Sequence, residues 1–114
     1  MDGALTLGEN IADNGGIGLA WRAYRSLYNN AATNITQPLF SGLTNDQLFW
    51  VMASQVWCTS DNANSATNSG DVHAQPQIRS YAPLANRPEF AQAFQCSPSS
   101  YMGRSLTANK CQIW

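Results

Sequence analysis

The chain has 114 residues, six of them basic and seven acidic, and its net charge of −1 with no basic stripe excludes an electrostatic nucleic-acid binder. Charged residues make up only 11%, against about 25% in an ordinary globular domain, too few to clothe a solitary small protein; four Trp, four Tyr and four Phe point to a missing neighbour. No stretch has the 18 or more apolar residues of a membrane span, and Met1-Asp2-Gly3 opens no basic or apolar leader, so no export signal is expected in this chain.

Residues 8–18, "GENIADNGGIG", place Glu9 and Asp13 four apart and follow them with Gly15 and Gly16. On a helix the two carboxylates share a face and repel by about 0.2–0.5 kcal/mol, and each glycine costs about 0.8–1.0 kcal/mol relative to alanine. Two readings stay open: a one-turn surface helix ended by the glycines, or carboxylates held in place for a cation. From Ile11 to Tyr28 the apolar set Leu19, Ala20, Ala23, Tyr24 and Leu27 recurs at three- and four-residue steps, which predicts a helix through "LAWRAYRSLY" ending near Asn29-Asn30. A polar connector with Pro38 and Gly42 follows, and it contains the sequon Asn34-Ile35-Thr36, which leans toward an exported parent.

In "TNDQLFWVMASQVWC", Thr44 and Gln47 have capping-box spacing ahead of a segment that is apolar nearly all round, predicting a helix buried on most sides. Residues 59–70 carry no large apolar side chain and read as a loop. Asn86, with Pro88 and Glu89 behind it, starts a short helix bearing Phe90, Ala93 and Phe94, and the tail from Ser97 to Trp114 reads as irregular. The expected fold is therefore mainly α, three helices joined by long loops in one domain.

Residues 71–79, "DVHAQPQIR", hold the single histidine, His73, with Asp71 placed to orient its ring and Arg79 offering a planar cation to a carbonyl or carboxylate. Read alone, His73 also suits a partly buried imidazole satisfied by one hydrogen bond, Arg79 a surface arginine and Asp71 a loop or turn residue. There is no G-x-S-x-G elbow and no phosphate loop. Cys58, Cys96 and Cys111 are an odd count without a C-x-x-C pair, so they are inert thiols or their partners lie in sequence absent here.

"LTLGENIADNGG", "DQLFWVMASQVWC", "DVHAQPQIR", "LANRPEFAQAFQC" and "KCQIW" together resemble, in order, the C-terminal part of the neprilysin-type zinc metallopeptidases, from about Gly3 to Trp114. The resemblance implies the C-terminal helical portion of a thermolysin-like peptidase domain with zinc as cofactor and peptides as substrates. It also implies an extracellular parent, secreted or membrane-anchored, whose more N-terminal part is the immediate partner of this chain and bears cysteines for Cys58, Cys96 and Cys111. Residue by residue, it makes Glu9 a zinc ligand and Asp13 the support of a zinc-bound histidine. His73 becomes the donor to the oxyanion, Asp71 the residue that orients it, and Arg79 the holder of a substrate carbonyl. The family's H-E-x-x-H does not occur in these residues, so this chain by itself is expected to be inactive and to hold half a site. Alternatives are a non-catalytic extracellular peptide-binding domain or a truncated product working with another chain.

Overall fold

The computed structural model describes residues 2–27, 36–37, 42–59 and 70–107. The expected helix end at Asn29-Asn30, the sequon at Asn34, the connector at Pro38, most of the polar loop (60–69), and Cys111 with the last residues of the tail lie outside the described residues.

Helix α1 runs Leu7–Leu27. The Asp2 carboxylate accepts the backbone N–H of Ala4 at 2.9 Å and of Leu5 at 3.3 Å just ahead of it. The helix begins earlier than the apolar spacing suggests and passes straight through Gly15-Gly16. Its buried residues are Gly15, Gly18 and Trp21, whereas Leu19 and Leu27 of the expected apolar face are 54% and 80% exposed. Two of the glycines thus belong to the packed stripe and do not end the helix. Their entropic cost is offset by tertiary contact, which overrides propensity. A Cβ on Gly18 would lie 2.9 Å from Arg87 Nη1, while one on Gly16 would meet open space.

Two-residue strands β1 (Thr36–Gln37) and β2 (Leu43–Thr44) pair antiparallel, Thr36 opposite Thr44. Helix α2, Asn45–Gln55, starts with the expected capping box: Thr44 Oγ1 accepts from Gln47 N at 3.2 Å, and Gln47 Oε1 accepts from Thr44 N at 2.9 Å. Its girdle is buried on one side only. Trp50 has no exposed surface, but Met52 is 53% and Val56 73% exposed, which corrects the expectation of a helix enclosed on most sides.

Helix α3, Pro76–Ala85, is additional to the three helices expected from sequence and holds two prolines, Pro76 and Pro83. Pro76 occupies the first turn, where a missing N–H is harmless. Pro83 sits in the last turn. Helix α4, Pro88–Ala93, is the short helix expected near Asn86, but its N-cap is Arg87; Asn86 caps the C-terminus of α3 instead. A 3-10 turn, Arg104–Leu106, interrupts the otherwise irregular tail.

The described residues are thus mainly helical. α1 and α2 both pack on α3, around a core of Trp21, Trp50 and Leu84. Trp21 stacks on Trp50 with centroids 4.7 Å apart, Phe49 meets Trp21 edge-on at 5.2 Å, and Phe90 meets Trp50 edge-on at 6.0 Å. None of the described helices is long and apolar enough to cross a membrane.

Candidate active site

The N-terminal half of α1 and the segment leading into α3 face each other, and all five residues singled out from sequence meet there. The spacing of Glu9 and Asp13 puts both on one face of α1. Across from them, Asp71 closes a tight turn: its Oδ1 accepts the backbone N–H of His73 at 2.9 Å and lies 2.9 Å from His73 Nδ1. An ionised carboxylate only accepts, so Nδ1 is the donor and the ring is turned with Nε2 outward. Nε2 lies 3.3 Å from Glu9 Oε2. Buried Ala74 carries the chain from this turn into α3, whose register brings Arg79 to Asp13. There Arg79 Nε donates to Asp13 Oδ2 at 2.7 Å and Nη2 to Oδ1 at 2.8 Å, a bidentate fork.

The two pairs differ in exposure. Glu9 and His73 side chains are 40% and 46% exposed, open to a ligand; Asp13 and Arg79 are 14% and 16%, closed to bulk water. The backbone N–H of His73, followed by its ring, holds the Asp71 carboxyl below the usual carboxylate range. The hydrogen bonds from Asp13 hold the Arg79 guanidinium above its ordinary value, against the opposing effect of burial. Arg79 is therefore a permanent cation, not the exposed surface arginine its sequence also allowed.

A cleft of about 200 Å³ opens between α1 and α3 beside this fork. Its wall includes a second polar row on α1 that sequence reading passed over. Asn10 donates to Thr6 Oγ1 at 2.9 Å, Asn14 to the Asn10 carbonyl at 2.7 Å, and Asn86 Nδ2 to Asn14 Oδ1 at 2.8 Å. The signal was present, since residues 6, 10 and 14 repeat the four-residue step of Glu9 and Asp13 one position along. Trp57 was also passed over. The Arg79 Cζ lies 3.8 Å from its ring centroid, yet in sequence Trp57 reads only as part of an apolar helix.

Residues 1–113 match Peptidase family M13. The chain belongs to peptidase family M13. Among its M13 relatives, neprilysin of Oryctolagus cuniculus is 43% identical over 118 residues, which is all of this chain and 15% of that protein. Neprilysin-3 of Drosophila melanogaster is 40% identical over all of the chain and 14% of that protein, and endothelin-converting enzyme 1 of Cavia porcellus is 40% identical over all of the chain and 15% of that protein. The chain therefore spans about one-seventh of the length of these relatives. No solved structure matches it.

M13 peptidases are zinc-dependent, and a hydrolytic zinc takes three protein ligands and a water. Among the described residues no group of three His, Cys, Asp or Glu side chains is placed to hold a metal. The donors present fit one position of such a set, the exposed Glu9 carboxylate, and do not complete it. Asp13 turns both oxygens to Arg79, and His73 meets Glu9 through Nε2 and Asp71 through Nδ1. Cys58 is exposed, Cys96 half-buried, and both are unbonded among the described residues.

Proposed function

We propose that this chain is the C-terminal portion of a neprilysin-type zinc endopeptidase that cleaves peptide bonds in oligopeptides, and that it contributes Glu9 as one zinc ligand together with the groups that hold substrate. The remaining ligands and the general base would come from sequence outside these residues, in the segment bearing H-E-x-x-H. Zinc in such a site acts as a Lewis acid and lowers the pKa of its water.

The observation that carries this reading is the meeting of Glu9 and His73 at 3.3 Å on an open face, with the His73 ring held by Asp71. Asp71 holds Nδ1 and leaves Nε2 as the ring's outer edge, 3.3 Å from Glu9 Oε2; a doubly protonated ring would donate from Nε2 to a developing oxyanion once Glu9 is engaged by the metal. Arg79 is anchored on Asp13, so that Nη1, which has no partner among the described residues, is available to a backbone carbonyl of the bound peptide. These are positioning and charge-stabilising tasks that match what M13 membership implies for Asp13, Asp71, His73 and Arg79. An extracellular parent, secreted or membrane-anchored, and disulfides from Cys58, Cys96 and Cys111 to more N-terminal cysteines belong to the same proposal.

The test is the complete protein encoded by the same transcript. It is expected to contain H-E-x-x-H upstream of "GENIAD", to bind one zinc per molecule by elemental analysis, and to turn over an internally quenched oligopeptide. A complete product without that motif and without turnover contradicts the proposal and favours a peptide-binding role.

A further inference from the structure

Asp13 and Asn14 are consecutive on α1, so their side chains leave the helix about 100° apart, and both reach α3. Asp13 is held by Arg79 in the body of α3, whereas Asn14 Oδ1 accepts from Nδ2 of Asn86, the C-cap of that helix, at 2.8 Å. Arg79 and Asn86 are seven residues apart, about 10 Å along α3. A single tie between two helices leaves each able to roll, because the tied side chains follow the rotation. Two ties that leave α1 at different angles and meet α3 at different heights cannot both follow it: a roll that relaxes one stretches the other.

The second tie is directional. A carboxamide accepts at one end and donates at the other. Asn14 gives Nδ2 to the Asn10 carbonyl at 2.7 Å, one turn back on its own helix, which turns Oδ1 toward Asn86. At Asn86, Arg104 Nη2 donates to Oδ1 at 3.5 Å; a guanidinium has no acceptor, so the amide oxygen faces the cation and Nδ2 faces Asn14. The Arg104 Cζ lies 4.0 Å from the centroid of the Tyr101 ring, which holds the cation at this point of the tail. Toward the start of α1 the row ends on Thr6, 2% exposed, whose Oγ1 accepts from Asn10 Nδ2 at 2.9 Å.

Glu9 stands beside Asn10 and one turn before Asp13. Its contact is the exposed His73 ring, so its aim depends on the helix that bears it. A side-chain end lies about 5–6 Å from a helix axis, where a roll of about 10° displaces it by about 1 Å, against the roughly 0.2 Å to which a metal site holds its ligand distances. We infer that Asn86 is a positioning residue for Glu9: through Asn14 it fixes the roll of α1 and with it the direction in which the Glu9 carboxylate is presented to the metal. This rests on the proposed role of Glu9 as a zinc ligand.

The experiment measures the zinc dissociation constant of the complete protein, by competition with a chromophoric chelator, beside urea unfolding of the same samples. Asn14→Ala and Asn86→Ala are each expected to raise Kd about five- to tenfold, and the pair together no more than about twofold beyond either, since both remove one hydrogen bond. Asn14→Ala also raises helix propensity, so its effect does not come from a weakened α1. Trp50→Phe, which disturbs the core, is expected to lower stability and leave Kd within about twofold. Single variants with Kd within twofold of wild type overturn the inference and leave the row a stabilising contact only; so do independent, multiplying effects in the pair, or an equal rise in Trp50→Phe, where affinity would merely track stability. A Glu9→Val protein that keeps wild-type zinc affinity overturns the Glu9 reading and the inference with it, which separates the two failures. Should Asn86→Ala not fold, Asn14→Ala is read alone, with an unchanged Kd as the overturning result.

Discussion

Within α1, the stretch from Ile17 to Leu27 and the stretch from Leu7 to Asn14 use one helix for opposite purposes. The later half sets Trp21 against Trp50, Phe49 and Tyr24, with centroids 4.7–5.4 Å apart, and closes an aromatic core. The earlier half sets Glu9, Asp13 and Asn14 against His73, Arg79 and Asn86, through polar contacts of 2.7–3.3 Å. Apolar burial is non-directional and large, so it holds the helix in place. Hydrogen-bonded and ionic pairs add little net stability but fix distances and angles. One half anchors the helix, and the other aims side chains.

That contrast predicts that emptying the aromatic core costs the most stability, while loss of single polar contacts costs less. The largest stability loss is expected for Trp50→Ala, which empties the fully buried centre of the aromatic cluster: about 3–5 kcal/mol by urea unfolding of the complete protein, with kcat of the folded fraction unchanged. A loss under about 1 kcal/mol would show that the anchor lies elsewhere. Asn86→Ala is expected to cost about 1–3 kcal/mol by the same measurement, because it leaves the Asn14 carbonyl oxygen without its donor at the junction of α1 and α3. An effect as large as that of Trp50→Ala would erase the distinction between the halves. Tyr24→Phe removes one donor to Asp46, which Arg25 still pairs at 3.2 Å, and should cost no more than about 0.5–1.5 kcal/mol with no change in turnover.

The same contrast explains what was legible in the sequence. Signals contained within a few residues were read correctly: Thr44 and Gln47 form the capping box their spacing announces, and Asp71 orients His73 two residues on. Signals that depend on what packs against a residue were not. Gly15 and Gly16 read in sequence as a helix end until Gly15 is seen buried inside α1, and α3 holds Pro76 and Pro83 in its first and last turns, where they are tolerated. The site residues were named by family resemblance, but their partners were not. Asp13 meets Arg79 across 66 residues, and Trp57 meets Arg79 from the turn that follows α2, contacts for which no local pattern exists.

The central claim is that Glu9 serves the metal and His73 the substrate, although the two side chains touch. Its most direct test is zinc content by mass spectrometry beside steady-state kinetics for Glu9→Val and His73→Ala in the complete protein. The account predicts that Glu9→Val loses zinc and activity together. His73→Ala should keep full zinc while kcat falls by about 10²–10³, equivalent to about 2.7–4 kcal/mol of transition-state stabilisation, with KM little moved. A zinc-free His73→Ala protein would make His73 a ligand and contradict this division of labour.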